Sequence, residues 1–128
     1  MLSNHLVAVA EDDPLLRQVL AELITELNGR CEQFTTCDDL YRALLAGRPY
    51  TLVITDHITP GSMQGIELAS AAEQGWPGLT VIIMSGHERN ESVPLPSNSH
   101  YFQKPLQIAD LLDVAENILK TSQRNVPL

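Results

Sequence analysis

The chain has 128 residues, a length typical of one domain, and 44% of them are hydrophobic, which is enough for a globular core. Its 16 acidic and 8 basic residues give a formal charge of -8. That charge argues against direct binding to nucleic acid or anionic lipid, because both need clustered cations. There is neither an apolar run of about 20 residues nor a signal-peptide pattern, so no membrane association and a cytoplasmic location are expected.

The first strand and helix are clearly marked in the sequence. Leu6 to Ala10 are continuously apolar, which is typical of a strand buried on both faces. Asp13 and Pro14 suit the N-cap and the first position of a helix. Apolar residues at 15, 16, 19, 20, 23, 24 and 27 give that helix a wide apolar face. Asn28 and Gly29 predict its end.

The next segment repeats this order with weaker signals. Arg30 to Phe34 predicts a strand, and Asp38 is a candidate cap for a helix that ends near Gly47. A second strongly apolar run, Thr51 to Thr55, predicts the third strand and leads directly to Asp56.

After a turn at Pro60-Gly61, a helix is expected from about Ile66 to Gln74. Thr80 to Met84 is the third strongly apolar run, and Ser85 follows it. The segment 87–99 is polar and contains two prolines, so any helix in it must be short.

Tyr101 to Gln103 predicts a short strand that leads to Lys104-Pro105. Apolar residues at 108, 111, 112, 115, 118 and 119 then predict an amphipathic helix, and 121–128 has the pattern of a frayed tail. Strands alternate with helices along the whole chain. This alternation predicts one α/β domain with a parallel sheet and right-handed crossovers.

Four of the five predicted strands end in polar groups, and these ends meet at one edge of a parallel sheet. Each group has an ordinary alternative: acids cap helices, Asp and Ser occur in turns, and a lysine is usually solvated. Together they are complementary. The carboxylates offer hard oxygen ligands for Mg²⁺, Lys104 a counter-charge, Ser85 a hydroxyl, and Asp56 a nucleophile for a phosphoryl group. The groups are Glu11-Asp12-Asp13, Asp56, Ser85 and Lys104.

With these residues in this order, the chain resembles the response-regulator receiver domain of two-component signalling, from about Leu6 to Leu119. The resemblance also rests on Pro60-Gly61, on Gly65, and on Tyr101 three residues before Lys104. It implies a flavodoxin-like, doubly wound sheet of five parallel strands in the order 2-1-3-4-5, with helices on both faces. The receiver domain is expected over 1–122, followed by a disordered tail over 123–128.

The resemblance also implies a role for each matching residue. Asp56 would be the phosphoacceptor, and Lys104 would pair with the phosphate or with Asp56 through a Lys-Pro unit whose peptide bond is commonly cis in the family. Ser85 would bind the phosphoryl group after a shift of its loop, and Tyr101 would swing inward with it. Mg²⁺ would be the cofactor, with ligands from Glu11 (through water), Asp12, Asp56 and the backbone carbonyl of Ile58.

The choice of acids rests on register. In the family, an arginine of the first helix lies five residues beyond the second acid, and Arg17 lies five residues beyond Asp12. Glu11-Asp12 is therefore preferred to Asp12-Asp13 as the metal pair, and Asp13 remains free to cap the helix. Strand alternation turns the side chain of His57 away from that of Asp56, so His57 is not expected to be a ligand.

Two segments depart from the family pattern. The loop after Asp56 has one extra residue before Gly65, and Thr59 stands where the family has methionine. The stretch between Ser85 and Lys104 is about three residues short and carries two prolines. We therefore expect the family's fourth helix, between strands four and five, to be shortened or missing. A standard dimer through that face is then in doubt.

The predicted function is a phosphorylation switch without an output domain of its own, which catalyses its own phosphorylation and dephosphorylation but is not otherwise an enzyme. Its partners would be a histidine kinase or histidine phosphotransfer protein and an unknown downstream protein. The Asp56-His57 sequence and the trimmed helix between strands four and five also resemble the carboxyl-terminal receivers of hybrid histidine kinases. A related interpretation is therefore a receiver cut from, or similar to, one of these. The alternative is a phosphate-independent binding module. A haloacid-dehalogenase-type phosphatase is disfavoured because Ile58 stands where the general acid would be.

Two cysteines, Cys31 and Cys37, lie six residues apart, which is neither a CxxC motif nor zinc-ligand spacing. We expect two free thiols in a reducing compartment. Trp76 is predicted at the end of the sheet opposite the acids, where it would report poorly on phosphorylation.

Overall fold

The computed structural model describes residues 5–124, and within them it contains five strands and four helices. The strands are β1 (Leu6–Ala10), β2 (Arg30–Phe34), β3 (Leu52–Asp56), β4 (Thr80–Ser85) and β5 (Ser99–Gln103). The helices are α1 (Pro14–Glu26), α2 (Cys37–Leu45), α3 (Gly65–Gly75) and α4 (Ile108–Arg124). The strands are parallel and lie in the order β2-β1-β3-β4-β5. This confirms the flavodoxin-like fold predicted from the sequence.

The sheet is covered on both faces because successive side chains of a strand point to opposite sides. On one side, Leu6 and Ala8 of β1 lie in a core cluster with buried residues of α2 and α3. On the other side, Val7 and Val9 lie in a second cluster with α1 and α4. Every residue of β1 is buried. The central strands are therefore held rigidly, and their carboxyl ends are fixed relative to one another.

Helix α1 begins as its sequence predicts. The carboxylate of Asp13 accepts a hydrogen bond from the backbone N–H of Leu15 at 3.0 Å, and Pro14 occupies the first helical position. This bond satisfies one of the N–H groups that a helix leaves unpaired at its start. Asn28, just beyond the helix, adopts a positive φ of 64°. The predicted cap and stop signals are both confirmed.

The predicted cap of α2 is wrong. The N-cap is Thr36, whose hydroxyl accepts a hydrogen bond from the backbone N–H of Asp39 at 3.0 Å. Asp38 lies inside the first turn, and its carboxylate instead accepts bonds from Ser62 and Met63. Threonine and aspartate are both good N-caps, and here the tertiary contact with a distant loop decides between them.

The segment 86–98, between β4 and β5, contains no helix. This confirms the prediction that the helix which the family has between its fourth and fifth strands is shortened or missing in this chain. Short turns hold the segment instead, with Val93 N donating to Asn90 O at 3.0 Å and Ser99 N to Pro96 O at 3.1 Å. The last turn leads into β5 at Ser99, two residues before the predicted start.

Helix α4 continues to Arg124, beyond residue 122, where the sequence predicts the end of the domain and the start of a tail. The remaining predicted tail, 125–128, lies outside the described residues. Of the helices in residues 5–124, none has the length and apolar character needed to cross a membrane.

Candidate functional site

The carboxyl ends of β1 and β3 bring three acids together. Glu11 and Asp12 directly follow β1, and Asp56 is the last residue of β3. One carboxylate oxygen from each of the three lies within 4.8 Å of the others. Glu11 is buried, Asp56 is half-buried, and Asp12 is exposed. The sequence-predicted acidic cluster is thus assembled in the folded chain, and it faces solvent through Asp12.

Lys104 joins this cluster from the carboxyl end of β5. Its Nζ atom donates to Glu11 Oε1 at 3.0 Å and to Asp56 Oδ2 at 3.3 Å. The backbone N–H of Lys104 donates to Ser85 O at 2.7 Å, which extends the β4–β5 ladder to the site. The Lys104–Pro105 peptide bond is cis, as expected. One ammonium group therefore bridges two of the three carboxylates.

Glu11 is the most constrained of the acids, since its side chain is only 1% exposed. The backbone N–H of Asp13 donates to Glu11 Oε2 at 3.1 Å, and Arg17 Nη1 donates to the Glu11 carbonyl at 2.9 Å. Burial raises the pKa of Glu11 above its usual range, and the charge of Asp56 acts in the same direction. The bonds from Asp13 and Lys104 oppose this shift. A cation at this edge would further stabilise the ionised carboxylate.

Lys104 remains positively charged despite being partly buried. Burial by itself would lower its pKa, but the hydrogen bond to Glu11 and the charges of Asp56 and Glu11 outweigh it, so the pKa of Lys104 is raised. A stable ammonium group beside Asp56 provides a counter-charge for an anion bound there.

The donor set fits Mg²⁺. Three carboxylates supply hard oxygen atoms, which Mg²⁺ prefers, and the exposed Asp12 leaves room for water ligands. A single lysine does not balance three carboxylates, so the site carries excess negative charge without a cation. Ile58, whose carbonyl is the predicted fourth ligand, lies in the loop after β3 with a side chain 52% exposed. Ligation by that carbonyl stays a prediction.

Ser85 and Tyr101 both contact His87, not Asp56. The Ser85 side chain is buried, and its Oγ accepts a hydrogen bond from the backbone N–H of His87 at 3.2 Å. The Tyr101 hydroxyl donates to the carbonyl of the same residue at 2.7 Å. The two predicted switch residues are thus joined through one loop residue. Beside them lies a mainly apolar cavity of about 470 Å³, lined partly by His57, Ile58 and Val93.

His57 turns towards α3. Its Nδ1 atom accepts a hydrogen bond from the backbone N–H of Ile66 at 3.4 Å, and its carbonyl accepts one from Gly65 N at 2.6 Å. A Cβ atom at Gly65 would lie only 2.9 Å from the Asp56 carbonyl oxygen, so this close approach requires glycine. His57 is not among the residues gathered at the acidic cluster.

A set of contacts around the loop after Asp56 was not predicted from the sequence. Thr59 is buried, and its hydroxyl accepts a hydrogen bond from the backbone N–H of Cys37 at 2.9 Å. Asp38 binds the same loop further along, at Ser62 and Met63. The one available signal was the threonine in place of the family's methionine. Nothing in the sequence pairs Asp38 with a loop 24 residues away.

The remaining predictions concern residues away from the site. Cys31 and Cys37 are both free thiols. Burial, followed by the charge of Glu32, raises the pKa of Cys31 to about 11, so its thiol is unreactive near neutral pH. Trp76 follows α3 at the opposite end of the sheet and contacts Tyr41 edge-to-face, with ring centroids 6.0 Å apart.

Comparison with known proteins gives a consistent result. A family model described as the response regulator receiver domain matches residues 7–116. The response regulator receiver protein CpdR of Brucella abortus (strain 2308) is 28% identical over 116 residues, covering 88% of this chain and 95% of that protein. The DNA-binding transcriptional regulator NtrC of Proteus hauseri is also 28% identical over 116 residues, but this chain spans only 24% of its length.

Solved structures agree on the fold. A response regulator receiver protein from Sinorhizobium medicae WSM419 superposes with a TM-score of 0.84 at 21% identity, covering 95% of this chain and 99% of that one. A CheY-like receiver domain protein from Methanospirillum hungatei JF-1 gives a TM-score of 0.82 at 20% identity, with coverage of 97% and 100%.

Proposed function

The chain belongs to the response regulator receiver domain family, and from this premise we propose that it is a two-component phosphorylation switch that accepts a phosphoryl group on Asp56. The donor is a histidine kinase or a histidine phosphotransfer protein. The observation that carries the proposal is the position of Lys104, whose ammonium group bridges Glu11 and Asp56 at 3.0 and 3.3 Å. Such an arrangement suits a carboxylate that becomes more negatively charged.

In the proposed transfer, a carboxylate oxygen of Asp56 attacks the phosphorus atom. The phosphorus–nitrogen bond of the donor phosphohistidine breaks, and its electron pair stays on the imidazole nitrogen. Asp56 is half-buried, so the donor can reach it from solvent. Lys104 neutralises charge on the transferred group, in the way that positioned cations stabilise a transition state. The Ser85 hydroxyl would bind a phosphoryl oxygen after exchanging its present bond with His87 N.

Mg²⁺ would be held by the carboxylates of Glu11, Asp12 and Asp56 and by the carbonyl of Ile58, with Glu11 acting through water. When bound, it supplies positive charge to the phosphoryl oxygens. The convergence of the three acids supports this assignment. The chain acts on its own Asp56 in both phosphorylation and dephosphorylation, and no other enzymatic activity is proposed. A cytoplasmic location is part of the proposal.

The change at Asp56 would pass to a protein partner through the segment 86–98. His87 accepts the Tyr101 bond through its carbonyl and donates its N–H to Ser85, so movement of either residue reaches this segment. A second candidate function is a phosphate-independent binding module. It is favoured by one observation, the absence of a helix from 86–98, since the family uses that helix for signalling.

One experiment separates the two functions. The protein is incubated with Mg²⁺ and acetyl phosphate, and mass spectrometry counts the phosphoryl groups. We expect one group on the wild-type chain and on Asp39→Asn, a control that changes an exposed acid of α2, and none on Asp56→Asn. If wild type acquires no phosphoryl group and does not bind beryllofluoride, the binding module replaces the switch.

A further inference from the structure

The loop that connects β3 to α3, residues 57–64, has to hold the Ile58 carbonyl in place for a metal ion. We propose that Asp38 is a positioning residue for this loop. By fixing Ser62 and Met63 to the first turn of α2, it sets the backbone on which the Ile58 carbonyl lies and so preforms the Mg²⁺ site. This inference rests on the proposed function, because it concerns the same metal.

Asp38 makes three hydrogen bonds to the loop. Its Oδ2 atom accepts from both the backbone N–H and the hydroxyl of Ser62, each at 3.1 Å, and its Oδ1 atom accepts from Met63 N at 2.8 Å. The bonds from the Ser62 and Met63 backbone hold the pKa of Asp38 below its usual range. The carboxylate is therefore charged at neutral pH, and its bonds are charge-assisted.

The loop is pressed closely against this carboxylate. Gly61 adopts a φ of +104°, which side-chain-bearing residues rarely adopt, and a Cβ atom there would lie 2.8 Å from Asp38 Oδ2. A positive φ and the absence of a side chain are both needed for the chain to turn over Asp38. The extra residue of this loop relative to the family pattern lies between Asp56 and Gly65, in the same stretch.

A second contact holds the loop nearer to Ile58. The N–H of Cys37, one of those that α2 leaves unpaired at its start, donates to the Thr59 hydroxyl at 2.9 Å. At the far end, Gly65 N donates to the His57 carbonyl at 2.6 Å. Contacts therefore bracket Ile58 on both sides. Its side chain, 52% exposed, contributes little to fixing its own backbone.

Capping of α2 does not explain the position of Asp38. Thr36 already caps the helix by accepting from Asp39 N at 3.0 Å. The neighbouring acid, Asp39, points elsewhere and forms an ion pair with Arg42 at 2.5 Å. Two adjacent acids of one turn thus have different partners, and Asp39 provides a matched control for the charge and the helix position of Asp38.

The test compares wild type, Asp38→Asn and Asp39→Asn in the 128-residue chain. Hydrogen exchange in the absence of Mg²⁺ follows the amides of Ser62 and Met63, and a calorimetric titration measures Mg²⁺ affinity. In Asp38→Asn we expect faster exchange at both amides. We also expect a Mg²⁺ dissociation constant raised roughly 10-fold, as when a group that orients a metal ligand is removed. Asp39→Asn should match wild type in both measurements.

Phosphoryl incorporation from acetyl phosphate, measured against Mg²⁺ concentration, distinguishes weaker Mg²⁺ binding from a general loss of phosphoryl acceptance. Asp38→Asn should need more Mg²⁺ for half-maximal incorporation yet reach the wild-type maximum. If Asp38→Asn does not fold, Gly61→Ala perturbs the same contact from the loop side and should weaken Mg²⁺ binding in the same direction.

Asp38 is not a positioning residue if Asp38→Asn binds Mg²⁺ as tightly as wild type, or if Asp39→Asn loses as much affinity. A wild-type chain that binds Mg²⁺ but takes up no phosphoryl group would contradict the proposed function alone. In that case weaker Mg²⁺ binding by Asp38→Asn would still support the positioning role.

Discussion

The two connections that flank β4 differ in structure: one places a helix against the sheet, and the other does not. The one before it contains α3, whose residues Leu68, Ala69 and Ala72 are buried against the sheet. The one after it, 86–98, has no helix and consists largely of exposed residues held by turns. The first connection leads from Asp56 and the second starts from Ser85. The chain thus has a regular helix next to Asp56, the proposed phosphoacceptor, and no helix next to Ser85, the proposed switch residue.

This difference suggests a division of roles: phosphoryl acceptance would depend on one part of the chain, and transmission of the signal to a partner would depend on another. The carboxylates and the lysine proposed for metal binding and phosphoryl transfer come from the ends of β1, β3 and β5, and none depends on a helix between β4 and β5. The segment 86–98 instead contacts the two proposed switch residues, Ser85 and Tyr101, through His87. A change in this segment would alter the surface proposed to bind a partner, while the acidic cluster of Glu11, Asp12 and Asp56 remains assembled.

The strongest test of this separation removes a proposed metal ligand. Asp12→Ala is expected to abolish measurable Mg²⁺ binding, because Asp12 supplies one of the three carboxylates that cluster within residues 5–124. Calorimetric titration with Mg²⁺ measures the effect. Glu88→Gln, which removes an exposed acid of the segment 86–98, is the control and should bind Mg²⁺ like wild type. Loss of binding in Glu88→Gln would mean that the two functions are not separate.

A second test compares how much each connection contributes to stability. Leu68→Ala in α3 should reduce the free energy of unfolding by about 3 kcal/mol, because it opens a cavity at a fully buried position. Val93→Ala in the segment 86–98 should change it by less than about 0.5 kcal/mol, since Val93 is 44% exposed. Urea denaturation measures both. Similar losses would show that the segment without a helix packs as firmly as α3.

The strand order was implied by the family resemblance, whereas the convergence of the polar groups has a physical reason that the sequence itself supplies. Parallel strands place their carboxyl ends on one edge, so Glu11, Asp12, Asp56 and Lys104 meet wherever the strands are correctly identified. The two prolines and the short spacing likewise predicted that 86–98 lacks a regular helix.

The contacts of α2 could not be predicted in the same way. Asp38 and Ser62 are brought together by the packing of α2 against β1 and α3, which no local pattern records. Thr36 and Asp38 are both suitable caps, so the choice between them depended on that contact. Residues 121–124 belong to α4 but were predicted as the start of a frayed tail, because the apolar periodicity weakens after residue 120.

A smaller effect distinguishes two neighbouring acids, Asp12 and Asp13, in the short loop between β1 and α1. Asp13→Ala should cost about 1 kcal/mol of unfolding free energy through loss of the α1 cap. Its Mg²⁺ affinity should not change, because the bond from residue 13 to Glu11 comes from the backbone N–H, which alanine keeps. Thermal unfolding and Mg²⁺ titration measure the two quantities. A loss of Mg²⁺ affinity equal to that of Asp12→Ala would overturn the choice of Glu11-Asp12 as the metal pair.

The smallest expected effect is a pH dependence in the segment 86–98. Glu73 of α3 accepts hydrogen bonds from the hydroxyl and the backbone N–H of Ser97, both at 2.6 Å, and these bonds lower its pKa below the ordinary value of 4.5. A lowered carboxyl pKa means that the contact is fully formed above pH 4.5 and weakens as the pH falls through the lowered value. Protonation of Glu73 should therefore release Ser97, which fixes the end of 86–98 to α3.

Hydrogen exchange at the Ser97 amide, corrected for its intrinsic rate, measures this release. Protection should fall about 2- to 10-fold on acidification, in keeping with the modest net strength of an exposed hydrogen bond. Glu73→Gln should remove the pH dependence. The Ser92 amide is an internal control, because it donates to the uncharged Asn90 side chain at 3.1 Å and should show no such step. A step at Ser92, or one that persists in Glu73→Gln, would mean that the whole segment loosens in acid and that Glu73 does not anchor it.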